Sequence, residues 1–144
     1  MSSLIPFGIA EFCITGDDVP LVVADKIIEY HITVILPFRL REKVPVWASQ
    51  KAGYRPPFYE KSKGRNGKSE HCFLKSSKGA VDWTTKQSHI LKLLEYLKNE
   101  TNYTRVTYYP NNGFIHCDYK RPERGRRYFE CKSPTSKWEF KEEL

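Results

Sequence analysis

The sequence predicts one α+β domain over residues 1–144, with helices packed on a small antiparallel sheet. This length is enough for one hydrophobic core and too short for two ordinary domains. Apolar residues recur at helical spacing over residues 23–35 and again over residues 90–97. Two runs rich in β-branched and aromatic residues, 105–109 and 114–119, flank a turn that contains Asn112-Gly113, and this pattern predicts a hairpin.

The remaining elements follow from local signals. The first helix should begin near Pro20, and Pro37 should stop or kink it. A short strand over residues 44–49 should lie at a sheet edge, because Pro45 cannot donate a ladder hydrogen bond. Residues 58–82 are polar and basic and predict a long loop, and long loops in compact domains tend to be functional. Thr84-Thr85 should cap the second helix, whereas residues 126–131 add a third strand.

The charge balance favours anionic partners. The chain has 24 Lys and Arg against 17 Asp and Glu, a net charge of +7. The basic residues cluster at 61–68, at 75 and 78, and at 120–127. Nucleic acid, acidic wall polymers and carboxylate-bearing substrates would all suit such a surface. No apolar run is long enough to cross a bilayer, and residues 1–13 show no basic start of a secretory signal, so no membrane association and no signal peptide are expected.

Three residues have the chemistry of a zinc site. His71 and Asp82 stand at the two ends of a Gly-bearing stretch, and His116 lies on the second strand of the hairpin. Three protein ligands with a fourth position open are typical of a catalytic rather than a structural zinc (Zn2+) site. Cys72 and Cys117 follow the two histidines, but neighbours on a strand face opposite ways, so the cysteines are expected to be buried, reduced thiols. His31 and His89, within helices, are expected to be structural.

Four short motifs resemble, in order, those of the zinc D-alanyl-D-alanine carboxypeptidase family, which shares a metal site with lysostaphin-type peptidases and the hedgehog signalling domain. The resemblance covers roughly residues 18–120 and is closest to small bacterial and phage members. The motifs are Gly53-Tyr54-Arg55-Pro56, Ser69-Glu70-His71, Gly79-Ala80-Val81-Asp82 and Phe114-Ile115-His116-Cys117-Asp118.

The resemblance implies a function and roles for individual residues. His71, Asp82 and His116 would hold Zn²⁺, Arg55 would bind a substrate carboxylate and Ser69 would hydrogen-bond near it. The expected protein is a monomeric metallopeptidase that hydrolyses peptidoglycan stem peptides, as a D-Ala-D-Ala carboxypeptidase or an endopeptidase. If phage-encoded, it would be an endolysin-like hydrolase found in the host cytoplasm or the virion and would act in cell wall degradation.

The chain departs from the family pattern in two places. Residues 72–81 make a longer connection between His71 and Asp82 than the family has. Phe114 and Gly113 stand where the family carries its general base, and neither can take a proton. Asp118 is the first candidate replacement, with an orienting role as its alternative, and Glu70 is the second. The departures leave two other functions open: a catalytically weak zinc-binding wall module and, ranked lower, a basic nucleic-acid-binding protein.

Overall fold

A computed structural model describes residues 8–144. Residues 1–7, part of the segment in which no signal peptide is expected, lie outside the described residues. The described chain is one α+β fold with helices on a six-stranded sheet, in the order β1-β2-β4-β3-β5-β6. The strands are β1 (Val46–Ala48), β2 (Ala80–Thr85), β3 (Arg105–Tyr109), β4 (Phe114–Asp118), β5 (Arg127–Glu130) and β6 (Glu139–Glu143). The predicted edge strand, hairpin and third strand are all present, with β1 at one edge.

The expectation of an antiparallel sheet is wrong for one pair of strands, because β3 and β5 run parallel. β4 lies between β2 and β3, and β5 joins the sheet at the free edge of β3. The chain reverses direction between β4 and β5, and β4 is already antiparallel to β3, so β5 runs the same way as β3. The sheet is therefore mixed.

The first helix runs through the proline that was expected to interrupt it. Helix α1 (Leu21–Ile27) continues through a π-helical turn (Ile28–Ile32) into α2 (Thr33–Glu42), which contains Pro37. Ile35 and Phe38, on either side of the proline, are buried in the core. Their burial offsets the hydrogen bond that proline removes. None of the helices in residues 8–144 has the length and apolarity that a bilayer span requires.

The predicted loop contains more structure than its composition indicated. It includes helix α3 (Pro57–Ser62) and a 3₁₀ turn (Glu70–Cys72), and its last residues open β2. The next helix, α4 (Ile90–Asn99), begins later than expected, after a 3₁₀ turn (Gln87–His89). Thr84 and Thr85 lie in β2 and do not cap α4. The hydroxyl of Thr85 instead donates to the carbonyl of Pro45. Both threonines pair with β1, so they continue β2 and do not begin the helix.

The core lies between the helices and the sheet. Trp83 of β2, Val106 of β3 and Ile115 of β4 are fully buried against Leu93 and Leu97 of α4. All four cysteines are buried free thiols, as expected. The structural reading of His31 is also confirmed. Its two ring nitrogens bond to the Tyr103 hydroxyl at 2.8 Å and the Lys78 carbonyl at 2.9 Å, so neither is available for a ligand.

Candidate metal centre

Strand pairing and one 3₁₀ turn bring the three predicted ligands together. In the β2–β4 register, Asp82 lies directly opposite His116. His71 sits in the 3₁₀ turn, and its backbone N–H donates to the Ser69 hydroxyl, which caps that turn, at 3.2 Å. The Arg55 backbone N–H donates to the His71 carbonyl at 2.8 Å, which ties the turn to the segment after β1. Backbone contacts therefore place all three side chains before any metal binds.

The ligand atoms of the three residues converge on one point. The Nε2 atom of His71 is 3.2 Å from Oδ1 of Asp82 and 3.1 Å from Nδ1 of His116. The Nδ1 atom of His116 is 2.9 Å from the same Asp82 oxygen. Ligand atoms at zinc-bond distance from a tetrahedral ion would be separated by about 3.4 Å. The buried group of His71, Asp82 and His116 could therefore hold a metal ion.

The far side of each imidazole ring is fixed by a hydrogen bond. Nδ1 of His71 donates to the Gly53 carbonyl at 3.0 Å, and Nε2 of His116 donates to Oδ2 of Asp118 at 2.7 Å. With the outer nitrogens donating in this way, Nε2 of His71 and Nδ1 of His116 are the ring nitrogens that face each other and Asp82. Outer hydrogen bonds of this kind set the tautomer and orientation of metal-binding histidines.

Asp118 orients His116 and is not placed as a general base. Its side chain is fully buried, and both oxygens are engaged by Arg105, through Nε at 2.9 Å and Nη2 at 2.5 Å. The Lys120 backbone N–H donates to Oδ1 at 3.0 Å. The sequence correctly placed Asp118 on the same strand face as His116. Because its carboxylate is saturated and does not line the cavity at the site, its geometry matches the orienting alternative.

The close approach of the three side chains shifts their pKa values. Burial alone would raise the pKa of Asp82, but the charges and hydrogen bonds of His71 and His116 outweigh it and hold that pKa far below its usual range. For His116, burial would lower the pKa, yet hydrogen bonds to Asp118 and Asp82 raise it to about 9. Burial lowers the pKa of His71, partly opposed by Asp82. The two carboxylates beside His116 therefore favour its charged form, as they would favour another cation.

A cavity of about 450 Å³, the ligand cavity, opens over the three residues. Arg55 and Ser69, the predicted substrate-binding residues, both line it. The Arg55 guanidinium lies 3.8 Å from Oδ2 of Asp82 and 3.6 Å from Oε1 of Glu60. Its side chain is 23% exposed, so it keeps donors that face the cavity.

The structure does not bring Glu70 into the ligand cavity, although it precedes His71 in sequence. Its carboxylate accepts a hydrogen bond from the Ser77 hydroxyl at 3.0 Å and lines a different cavity. Successive residues of a 3₁₀ turn point about 120° apart, so His71 and Glu70 cannot face one site. The proposed role of Glu70 as a base therefore has no support in this geometry.

The longer connection after His71 is a surface excursion, as its polar composition suggested. Lys26 of α1 donates from its ammonium to three carbonyls of the excursion, those of Leu74 at 3.0 Å, Lys75 at 3.2 Å and Ser77 at 2.6 Å. Phe73 and Gly79, at its two ends, have positive φ and pack against each other. The residues between Phe73 and Gly79 therefore form a surface loop that leaves His71 and Asp82 close together.

Two residues that shape the site were not predicted from the sequence. Glu60 is 1% exposed and pairs with both Arg55 and Arg65. Trp138 packs against the His116 ring at 5.2 Å, and its indole N–H donates to the Tyr109 hydroxyl at 2.8 Å. No local signal marks these residues, because each reaches the site through pairing distant in sequence.

Comparison with known proteins identified no relative of this chain. No family model, no curated protein and no solved structure matches the chain. The fold and the site define an α+β protein with a candidate three-ligand metal centre on its sheet. A fold of this class is compatible with many functions, so the site has to indicate the function.

Proposed function

We propose that the protein is a zinc-dependent peptidase that hydrolyses peptide bonds of peptidoglycan stem peptides, as a D-Ala-D-Ala carboxypeptidase or an endopeptidase. The observation that carries the proposal is the convergence of two oriented histidines and one aspartate beneath a cavity that also contains a guanidinium. Two nitrogen ligands and one carboxylate with room for a further ligand suit a catalytic zinc ion.

The donor set suits zinc in a hydrolase. When bound, the ion supplies Lewis-acid polarisation of a carbonyl and lowers the pKa of water to near neutrality. His71, His116 and Asp82 would hold it, with His116 kept in register by Asp118. Two imidazole ligands out of three are less suited to Mg²⁺ or Ca²⁺, which prefer shells made of oxygen.

The remaining cavity residues would bind and orient a peptide. Arg55 would pair with a peptide carboxylate through its forked donors, a geometry that suits two oxygens. Tyr109 lines the cavity, and burial raises its pKa to about 12, so its hydroxyl keeps its proton. That hydroxyl accepts from Trp138 and lies within hydrogen-bond reach of Cys131, and on substrate binding its O–H would donate to an oxygen that gains charge.

One observation favours a second candidate function. Among the described residues that line the ligand cavity, Asp82 carries the sole carboxylate, and it is itself a ligand. A hydrolase needs a proton acceptor near the attacking water, and Asp118 and Glu70 are both directed elsewhere. A zinc-binding wall module with weak or absent turnover would need no such residue.

Hydrolysis of purified wall peptides separates the two functions. The peptidase should release D-Ala or cleaved peptide in zinc, lose this activity in a chelator and regain it when zinc is added back. Arg55→Ala should reduce cleavage of substrates with a free carboxylate, while Arg124→Ala, an exposed arginine outside the cavity, should not. Zinc binding with wall binding but no chelator-sensitive cleavage would establish the binding module instead.

A further inference from the structure

A chain of three cavities leads away from the candidate metal centre along one side of the molecule. The ligand cavity shares Arg65 and Ser69 with a second cavity of about 500 Å³, here called the middle cavity. The middle cavity shares Lys120 with a third of about 750 Å³, the far cavity. The shared residues show that the three cavities adjoin one another in series.

Five cations line the middle and far cavities. Arg65 pairs with Glu60, and the other four are together called the basic groove: Lys68, Lys78, Lys120 and Arg121. None of the four forms an ion pair with a described carboxylate within residues 8–144. The cations that line the two cavities outnumber their three carboxylates, those of Glu29, Glu60 and Glu70. A lining that is positive on balance and contains unpaired cations favours an anionic partner.

The groove unites two basic stretches that are far apart in sequence. Ala80 of β2 pairs with Asp118 of β4, so Lys78, two residues before this pair, and Lys120, two residues after it, leave the sheet at the same end. The Lys120 backbone is fixed by hydrogen bonds with Asp118 and Thr104. The groove is therefore built by the same strand pairing that builds the metal centre.

The groove fits an acidic polypeptide better than a nucleic acid. Glu29 and Glu70 also line the far cavity, and a phosphate backbone, charged at every unit, would be repelled there. A polypeptide can place its carboxylates beside the lysines alone. The ring faces of Tyr30 and Tyr119 are covered by the Lys78 ammonium, 5.1 Å and 5.2 Å from their centres, so they are not free to stack on bases.

We propose that the basic groove binds a carboxylate-rich polypeptide segment and directs it toward the ligand cavity. Binding in the groove stands on its own, and what happens to the segment at the metal centre rests on the proposed function. The segment would lie across Lys120 and Lys68 and enter the ligand cavity past Arg65 and Ser69.

Fluorescence anisotropy with a short labelled peptide of alternating Glu and Ala tests the proposal, beside an equal-length Gln-Ala peptide and an oligothymidylate. The Glu-Ala peptide should bind most tightly, and its affinity should fall as salt rises. Lys68→Ala combined with Lys120→Ala should weaken binding by about 5-fold, the loss expected from two exposed charge contacts.

The matched control is Lys43→Ala combined with Lys86→Ala, which removes two exposed, unpaired lysines at the opposite end of β2. Its affinity should change by less than about 2-fold, since exposed charges at this distance are screened. Equal losses in both variants, tighter binding of the oligothymidylate, or no preference for Glu over Gln would each overturn the proposal. His116→Ala should still bind the peptide, so failure of the metal centre and failure of the groove give different results.

Discussion

Replacement of Asp118 by Asn distinguishes an orienting residue from a general base. The carboxylate accepts from His116, from two nitrogens of Arg105 and from the Lys120 backbone. An amide of the same shape keeps one acceptor oxygen and turns an NH₂ group toward a donor. Either His116 or Arg105 therefore loses its partner, and the buried negative charge that balances Arg105 is removed.

The structure sets the size of the effect. Removing one partner of a buried ion pair costs about 3–5 kcal/mol. The Arg105 side chain is 18% exposed and stacks on the Trp138 ring at 4.6 Å, so it retains part of its environment. We expect Asp118→Asn to lower the free energy of unfolding by about 2–3 kcal/mol. Zinc affinity should fall by about 10–100-fold, because His116 is no longer held in the binding tautomer.

Two assays measure these effects: urea unfolding in a chelator and competition for zinc with a chromogenic chelator. Asp25→Asn, which removes an exposed carboxylate with no ion-pair partner among residues 8–144, is the control and should change neither quantity. If Asp118→Asn binds zinc as tightly as the unaltered protein while peptide cleavage collapses, Asp118 acts as a base and the orienting role is wrong.

Two further predictions concern the metal-free protein and the loop between the ligands. In a chelator, stability should fall as pH rises from about 6.5 to about 9, because folded His116 holds its proton up to about 9 and the unfolded residue releases it near 6.5. The stabilisation is complete below this window, amounts to roughly 3 kcal/mol at most, and should be absent in urea unfolding of His116→Gln. Gly79→Ala should destabilise the protein by more than about 2 kcal/mol and weaken zinc binding, because a Cβ would lie 2.0 Å from the Phe73 ring at a φ of +81°. Gly64→Ala, at a φ of +78° just after α3 with open space around it, should cost only about 1 kcal/mol of backbone strain, and equal losses in the two variants would remove the packing argument.

Much of the fold was predictable because strong local signals agree with the tertiary structure. The Asn112-Gly113 turn and its flanking runs gave the hairpin, and period-2 alternation placed His116 and Asp118 on one face. The predictions failed where distant contacts outweigh local preference. Pro37 lies inside α2 because its neighbours are buried, and Thr85 extends β2 because β1 pairs with it. The parallel β3–β5 pair depends on strand order, which no local pattern encodes.

The candidate site shows the same division. His71, Asp82, His116, Arg55 and Ser69 were all identified from short motifs and share one cavity. The partners that orient and enclose them were missed or misjudged. Arg105 lies opposite Asp118 in the β3–β4 pair, and Trp138 lies in the segment just before β6. Glu70 was assigned on sequence proximity to His71, but a 3₁₀ turn separates the directions of adjacent side chains.

Zinc stoichiometry of the purified protein tests the metal centre most directly. Dialysis against limiting zinc followed by elemental analysis should give one equivalent in the unaltered protein and in His89→Ala, whose ring lies outside the group and bonds to Ser88. His71→Ala and His116→Ala should each lose that equivalent, since two ligands hold zinc far less tightly than three. Absence of zinc from the unaltered protein, or its retention in both histidine variants, would contradict the assignment of His71, Asp82 and His116 as a metal centre.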